Sequence, residues 1–82
     1  MIIHVTEVKY LDHYRLWLVF DNGISGTIDL EPELWGTVFA PLRDKILFAK
    51  VTVNYEIGTV TWPNGADLAP EFLFAGVTGK RL

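Results

Sequence analysis

Apolar and polar positions alternate with a period of two through the first part of the chain. From Arg15 to Phe20, Leu16, Leu18 and Phe20 fall on one face and Trp17 and Val19 on the other, the pattern of a strand covered on both sides and central in its sheet. Val5 to Tyr10, rich in Val and Thr, precedes it as a first strand broken at Leu11-Asp12-His13. Asp21-Asn22-Gly23 marks a tight turn, because Asn and Gly tolerate the positive φ that hairpin turns need. After it, Ile24, Gly26, Ile28 and Leu30 alternate with Ser25, Thr27 and Asp29. The three runs predict an antiparallel meander.

The period changes after Leu30. Glu31-Pro32-Glu33-Leu34-Trp35 carries Pro where a helical turn begins, with Asp29 ahead of it to cap or begin the turn and Gly36 as its stop. Pro41 to Phe48 predicts a second helical piece, with Leu42, Ile46 and Leu47 towards the sheet and Arg43, Asp44 and Lys45 towards water. Val51-Thr52-Val53 and Thr59 to Trp62 read as a hairpin around the loop Asn54-Tyr55-Glu56-Ile57-Gly58. Pro63-Asn64-Gly65 stops the last strand. Asp67 is placed to cap a short terminal helix over Leu68 to Phe74, with Pro70 in its first turn.

Three strands, helical turns, a two-stranded hairpin and a short terminal helix predict an α+β fold in two layers, helices on one face of a mostly antiparallel sheet. The 82 residues suit one domain, expected over 1–76, with 77–82 as a loose tail. A chain of this size buries only about 60 % of its unfolded surface, so three Trp, five Phe and three Tyr are large contributors to its core. Open sheet edges on so small a domain favour pairing with another chain, a second copy or a different protein.

Charge and composition narrow the functional classes. Seven Lys and Arg against ten Asp and Glu leave a net charge of −3, opposite to the basic excess of a self-sufficient nucleic-acid binder. No cysteine is present, which excludes disulfides, thiolate metal sites and cysteine nucleophiles. The apolar runs are too short to span a bilayer and the start of the chain does not read as a leader, so no membrane association and a cytoplasmic location are expected.

Candidate chemistry is sparse. In Trp62-Pro63-Asn64-Gly65-Ala66-Asp67-Leu68-Ala69-Pro70, an aromatic, an amide and an acid stand beside rigid turn residues, so Trp62, Asn64 and Asp67 are candidates for a protein-binding corner. The same residues also have structural uses as packing, turn and cap. Asp29, Glu31 and Glu33 are three carboxylates near one another, suited to a hard divalent cation or, more simply, to a helix N-terminus. Asp67 and Glu71, four apart, read either as a paired-carboxylate catalytic site or as cap and dipole partner at a helix start. His4 and His13 match no zinc spacing, and Ser25, the sole serine, lacks a nucleophile elbow. Gly76-Val77-Thr78-Gly79-Lys80 lacks the spacing of a phosphate loop. No cofactor is expected. Tyr10, Tyr14, Trp17, Trp35 and Tyr55 are without interleaved cations, which favours a protein over a nucleic acid as their partner, and Trp17 is the further candidate interface residue.

Phe20-Asp21-Asn22-Gly23, Ile28-Asp29-Leu30, Val38 to Asp44, Phe48 to Val51 and above all Trp62 to Pro70 together resemble the small bacterial family named Domain of Unknown Function 2442. The resemblance runs from about Val5 to Phe74. It implies a compact α+β domain that relatives carry fused, on its C-terminal side, to a helix-turn-helix, which is not expected after Leu82 here. It also implies a small protein partner encoded nearby, in arrangements like those of toxin-antitoxin pairs. The resulting expectation is a non-enzymatic interaction or regulatory domain. The alternatives are a transcriptional regulator that reaches nucleic acid through a partner, and a small metal-dependent enzyme using Asp29, Glu31, Glu33 or Asp67.

Overall fold

The computed structural model describes residues 2–79. Strands β1 (Val5–Asp12), β2 (Arg15–Phe20) and β3 (Ser25–Asp29) form an antiparallel sheet in the order β1-β2-β3. Single turns follow: a 3-10 turn at Glu31–Glu33, α1 (Gly36–Phe39), a second 3-10 turn at Ala40–Arg43 and α2 (Lys45–Phe48). Strands β4 (Thr52–Asn54) and β5 (Thr59–Thr61) pair as a separate two-stranded sheet, and α3 (Pro70–Thr78) closes the fold. The α+β architecture and the meander are as the periodicity predicts, with β2 in the middle.

The alternation decides which face is buried. Leu16, Leu18 and Phe20 of β2 lie in the core with Val5 and Ile28 from the flanking strands, and with Leu42, Phe48, Val60, Trp62 and Leu73 from the elements above them. Ring contacts bind these layers. Phe48 meets Tyr10, Tyr14 and Trp62 at 5.9, 5.4 and 5.7 Å between centroids, while Phe20 meets Phe74 of α3 at 5.2 Å. Helix α3 approaches β3 closely because both elements carry glycine at the contact: a Cβ on Gly26 would stand 2.6 Å from Val77 Cγ1. The covering is one-sided, so Trp17 and Val19 are only half-buried on the outer face.

Several local boundaries differ from those the sequence predicts, each for a physical reason. β1 runs on to Asp12 because Arg15 clamps the Asp12 carboxylate with two hydrogen bonds, of 2.7 and 2.6 Å, and Tyr10 donates to the His13 carbonyl. The hairpin then turns at His13, whose φ is 45°. Gly36 does not end a helical turn but starts α1, from a φ of 84°. The helical piece expected over 41–48 is two turns, broken at Asp44, which is extended (ψ 111°) and accepts from the Ile46 N–H. That break resets the helical phase and turns Ile46 outward at 73 % exposure, leaving Leu42 and Phe48 to fill the core. Asp67 does not cap α3. The helix begins at Pro70 behind Ala69, and Asp67 instead bridges to Thr61. α3 also outlasts the expected Phe74, reaching Thr78 with Val77 packed on the core, so the first two residues of the expected tail are helical; its last three lie outside the described residues.

Candidate functional site

The segment from Trp62 to Pro70 is a packed corner. Trp62 is 4 % exposed, and its indole Nε1–H donates to the Phe48 carbonyl at 2.9 Å. That bond satisfies the one polar atom of a buried ring, which makes Trp62 a core residue and not a surface anchor. Backbone bonds from Gly65 N to Trp62 O and from Trp62 N to Ala66 O close the turn, with Gly65 at a φ of 88°. Asn64 works in two directions. Its Oδ1 accepts from Ala66 N at 3.1 Å, and its Nδ2 donates to the Val38 carbonyl at 2.9 Å. The corner thereby holds α1, and next to it Thr59 Oγ1 donates to the Leu68 carbonyl at 2.6 Å.

What the corner holds in place is an open groove of about 370 Å³ between the Glu33 to Phe39 turn and Leu68. Its walls are largely apolar. Trp35, 71 % exposed, and Val38, 48 % exposed, stand on its rim, and Glu33 is its one acidic lining residue. Arg43 fastens the back of this turn through its Nε bond of 2.7 Å to the Leu34 carbonyl. From sequence, Trp35 was one aromatic among five. The signal that could have singled it out is its place between a Pro-containing turn and Gly36, where no periodicity turns it towards a core.

A second surface lies on the three-stranded sheet. Leu30 N donates to Tyr14 O and Phe20 N to Ile24 O, both at 2.9 Å, at the two ends of the β2/β3 ladder. With the register Leu16↔Ile28 and Leu18↔Gly26, the even-numbered residues of β3 bond to β2. The N–H and C=O groups of Ser25, Thr27 and Asp29 therefore point away from the sheet. Among the described residues these groups have no hydrogen-bond partner. The ladder is free of bulges, whereas β1 has two register shifts and an outer edge engaged by the Val5 N to Gly58 O bond and by Tyr55 Oη on the Thr6 carbonyl. Trp17 is paired with Thr27 on one side and Lys9 on the other, on the outer face.

The model of the family described as Protein of unknown function (DUF2442) matches residues 5–79. The chain belongs to the DUF2442 family. That description assigns no activity, and no curated protein and no solved structure matches the chain.

Several other polar groups of this DUF2442 chain serve turns and hairpin ends. Asp29 Oδ1 accepts from Glu31 N at 2.9 Å, opening the 3-10 turn whose N-cap residue is Leu30, without a side-chain cap, and Glu71 sits in the first turn of α3. Among the described residues no group of three His, Asp or Glu side chains is gathered as a metal site. His4 and Asp21 tie the N-terminal segment to the end of β2: His4 Nδ1 lies 2.9 Å from Asp21 Oδ2, and the His4 backbone N–H donates to Oδ1. The His4 side-chain bond, and then the backbone one, hold the Asp21 carboxyl below its ordinary 3.8. The Arg15 hydrogen bond likewise lowers Asp12, and Asp12 raises Arg15 in return. These groups are exposed hairpin fasteners. No helix among the described residues is long and apolar enough to cross a membrane.

Proposed function

We propose that this chain is a non-enzymatic protein-interaction domain that takes up an extended segment of a partner along the outer edge of β3. The observation that carries the reading is the row of outward backbone groups at Ser25, Thr27 and Asp29, unpartnered among the described residues, on a ladder without bulges. Such an edge offers main-chain hydrogen bonds to any extended peptide, and natural proteins usually blunt it with Lys, Pro or a bulge unless it is used. β3 carries none of the three. Beside it, Trp17 gives an aromatic surface one strand inward from Thr27, where a partner spreading across the sheet gains buried area. A small companion protein encoded nearby, the partner implied by the family resemblance, is the proposed occupant.

A second copy is the other reading favoured by a specific observation. Two β3 strands related by a two-fold at Thr27 put Thr27 opposite Thr27 and Ser25 opposite Asp29. That register uses all three outward residues and opposes no like charges. Thr27→Pro tests both readings, since it deletes an outward N–H and leaves the β2 ladder alone. Light scattering of the chain, alone and co-expressed with its companion, should show a complex that Thr27→Pro abolishes while thermal stability is kept. A complex of unchanged mass and affinity with Thr27→Pro, or no complex in either setting, would sink the edge as the interface.

A further inference from the structure

We infer that the groove between Trp35 and Leu68 is a separate docking site for an apolar side chain carried on a basic segment of a partner protein. The β3 edge plays no part in this inference. The groove has the properties of a small anchor pocket: apolar walls, about 370 Å³ of space, and an exposed indole on the rim. That volume lies at the lower end of the roughly 300–1,000 Å³ range of small-ligand pockets, enough for one large side chain. Trp35 and Val38 account for two of the large hydrophobic residues left exposed, and both line this groove. Hydrophobic exposure gathered at one concavity marks interaction sites more than exposure scattered singly does.

Charge selects the occupant. The one charged residue that lines the groove is acidic, Glu33, and the stretches of chain that contain the lining positions, 29–39 and 64–72, carry Asp29, Glu31, Glu33, Asp67 and Glu71, five of the ten acids of the chain, and none of its seven Lys and Arg. Arg43, behind the Glu33 to Phe39 turn, is committed to the Leu34 carbonyl, and Arg15, opposite Asp29 in the sheet, is committed to Asp12. Phosphate backbones and anionic lipid surfaces meet repulsion there, whereas a segment bearing Lys or Arg around an apolar anchor is complementary. The Asn64 to Val38 hydrogen bond fixes one wall before the partner arrives, which lowers the ordering cost of binding. The Trp62 to Pro70 string thus acts in recognition through what it positions, with its own tryptophan inside.

The test is titration of the isotope-labelled full chain with a synthetic helical Leu/Lys peptide, followed by nuclear magnetic resonance, with a Leu/Glu peptide of the same pattern as control. Leu/Lys peptide should shift the Trp35 indole N–H, Thr37, Val38 and Leu68 resonances. Trp35→Ala should weaken binding about tenfold, as loss of a hot-spot aromatic does. Glu31→Gln with Glu33→Gln should weaken it several-fold at low salt, less as salt rises. Trp35→Tyr, which keeps a ring, should bind between wild type and Trp35→Ala. Equal binding of the Leu/Glu peptide, shifts spread over the whole acidic surface, or affinity indifferent to Trp35→Ala would each overturn the inference. Shifts confined to Ser25 through Asp29 would overturn it too, while leaving the strand-edge reading intact.

Discussion

The Asn64 side-chain amide donates to the backbone carbonyl of Val38 across 26 positions of chain, joining the turn after β5 to the helical turn that forms one wall of the groove. The same side chain closes its own turn on Ala66 N. One residue therefore fixes both the corner and the wall it supports.

Asn64→Ala removes both hydrogen bonds at once. Stability should fall by about 1–2 kcal/mol, the net value of two partly exposed bonds, measured as a lower urea midpoint with unchanged slope. The Val38 and Trp35 resonances should broaden or move. If they stay in place, the tether does not hold the wall.

Trp62 is predicted to matter to folding and not directly to partner contact. Trp62→Phe leaves the Phe48 carbonyl without its indole donor and should cost about 1–3 kcal/mol. Trp62→Ala also opens a cavity beside Phe48 and should cost about 3–5 kcal/mol, a large share of what a domain of this size has. Thermal melts check both, and a melting temperature within a degree or two of wild type for Trp62→Ala would contradict its core role.

Gly26 and Val77 are predicted to be coupled. Gly26→Ala sets a methyl 2.6 Å from Val77 Cγ1, so the Val77 side chain or the helix that carries it must shift away from β3, at about 1–3 kcal/mol. Val77→Ala in the same chain should recover part of that loss, since it vacates the contested space. A double-mutant cycle measures the coupling, and strict additivity would show that the two residues do not share it.

The Asp21 contact gives an acid-side prediction. Its carboxyl is held below the ordinary 3.8 in the folded chain, so its contribution is fully present above that value and is lost as pH falls through the lower folded value. The melting-temperature difference between wild type and Asp21→Asn should therefore persist down to about pH 4 and shrink below it. A difference unchanged to about pH 2 would mean that the ionised carboxylate is not what His4 recognises.

Much of the fold is legible in the letters because strand alternation and turn chemistry are local. Leu16, Leu18 and Phe20 share a face whatever lies above them, and Asn22-Gly23 brings the chain back wherever the sheet ends up. The helical stretch was less legible. Asp44 competes for a backbone N–H inside an apparently continuous amphipathic pattern, and its capping bond breaks the period that the pattern assumed.

The candidate surfaces divide along the same line. The sequence by itself determined the meander, the second hairpin, the conspicuous Trp62 to Pro70 string and the net acidic balance. Only the tertiary structure decided that Trp62 turns inward to the Phe48 carbonyl while Trp35 stands exposed, and that β3, not β1, has the edge left unengaged among the described residues. An isolated indole has no preference between core and rim. Its place depends on whether a carbonyl and apolar neighbours converge on it from distant positions, and short-range periodicity carries no record of that convergence.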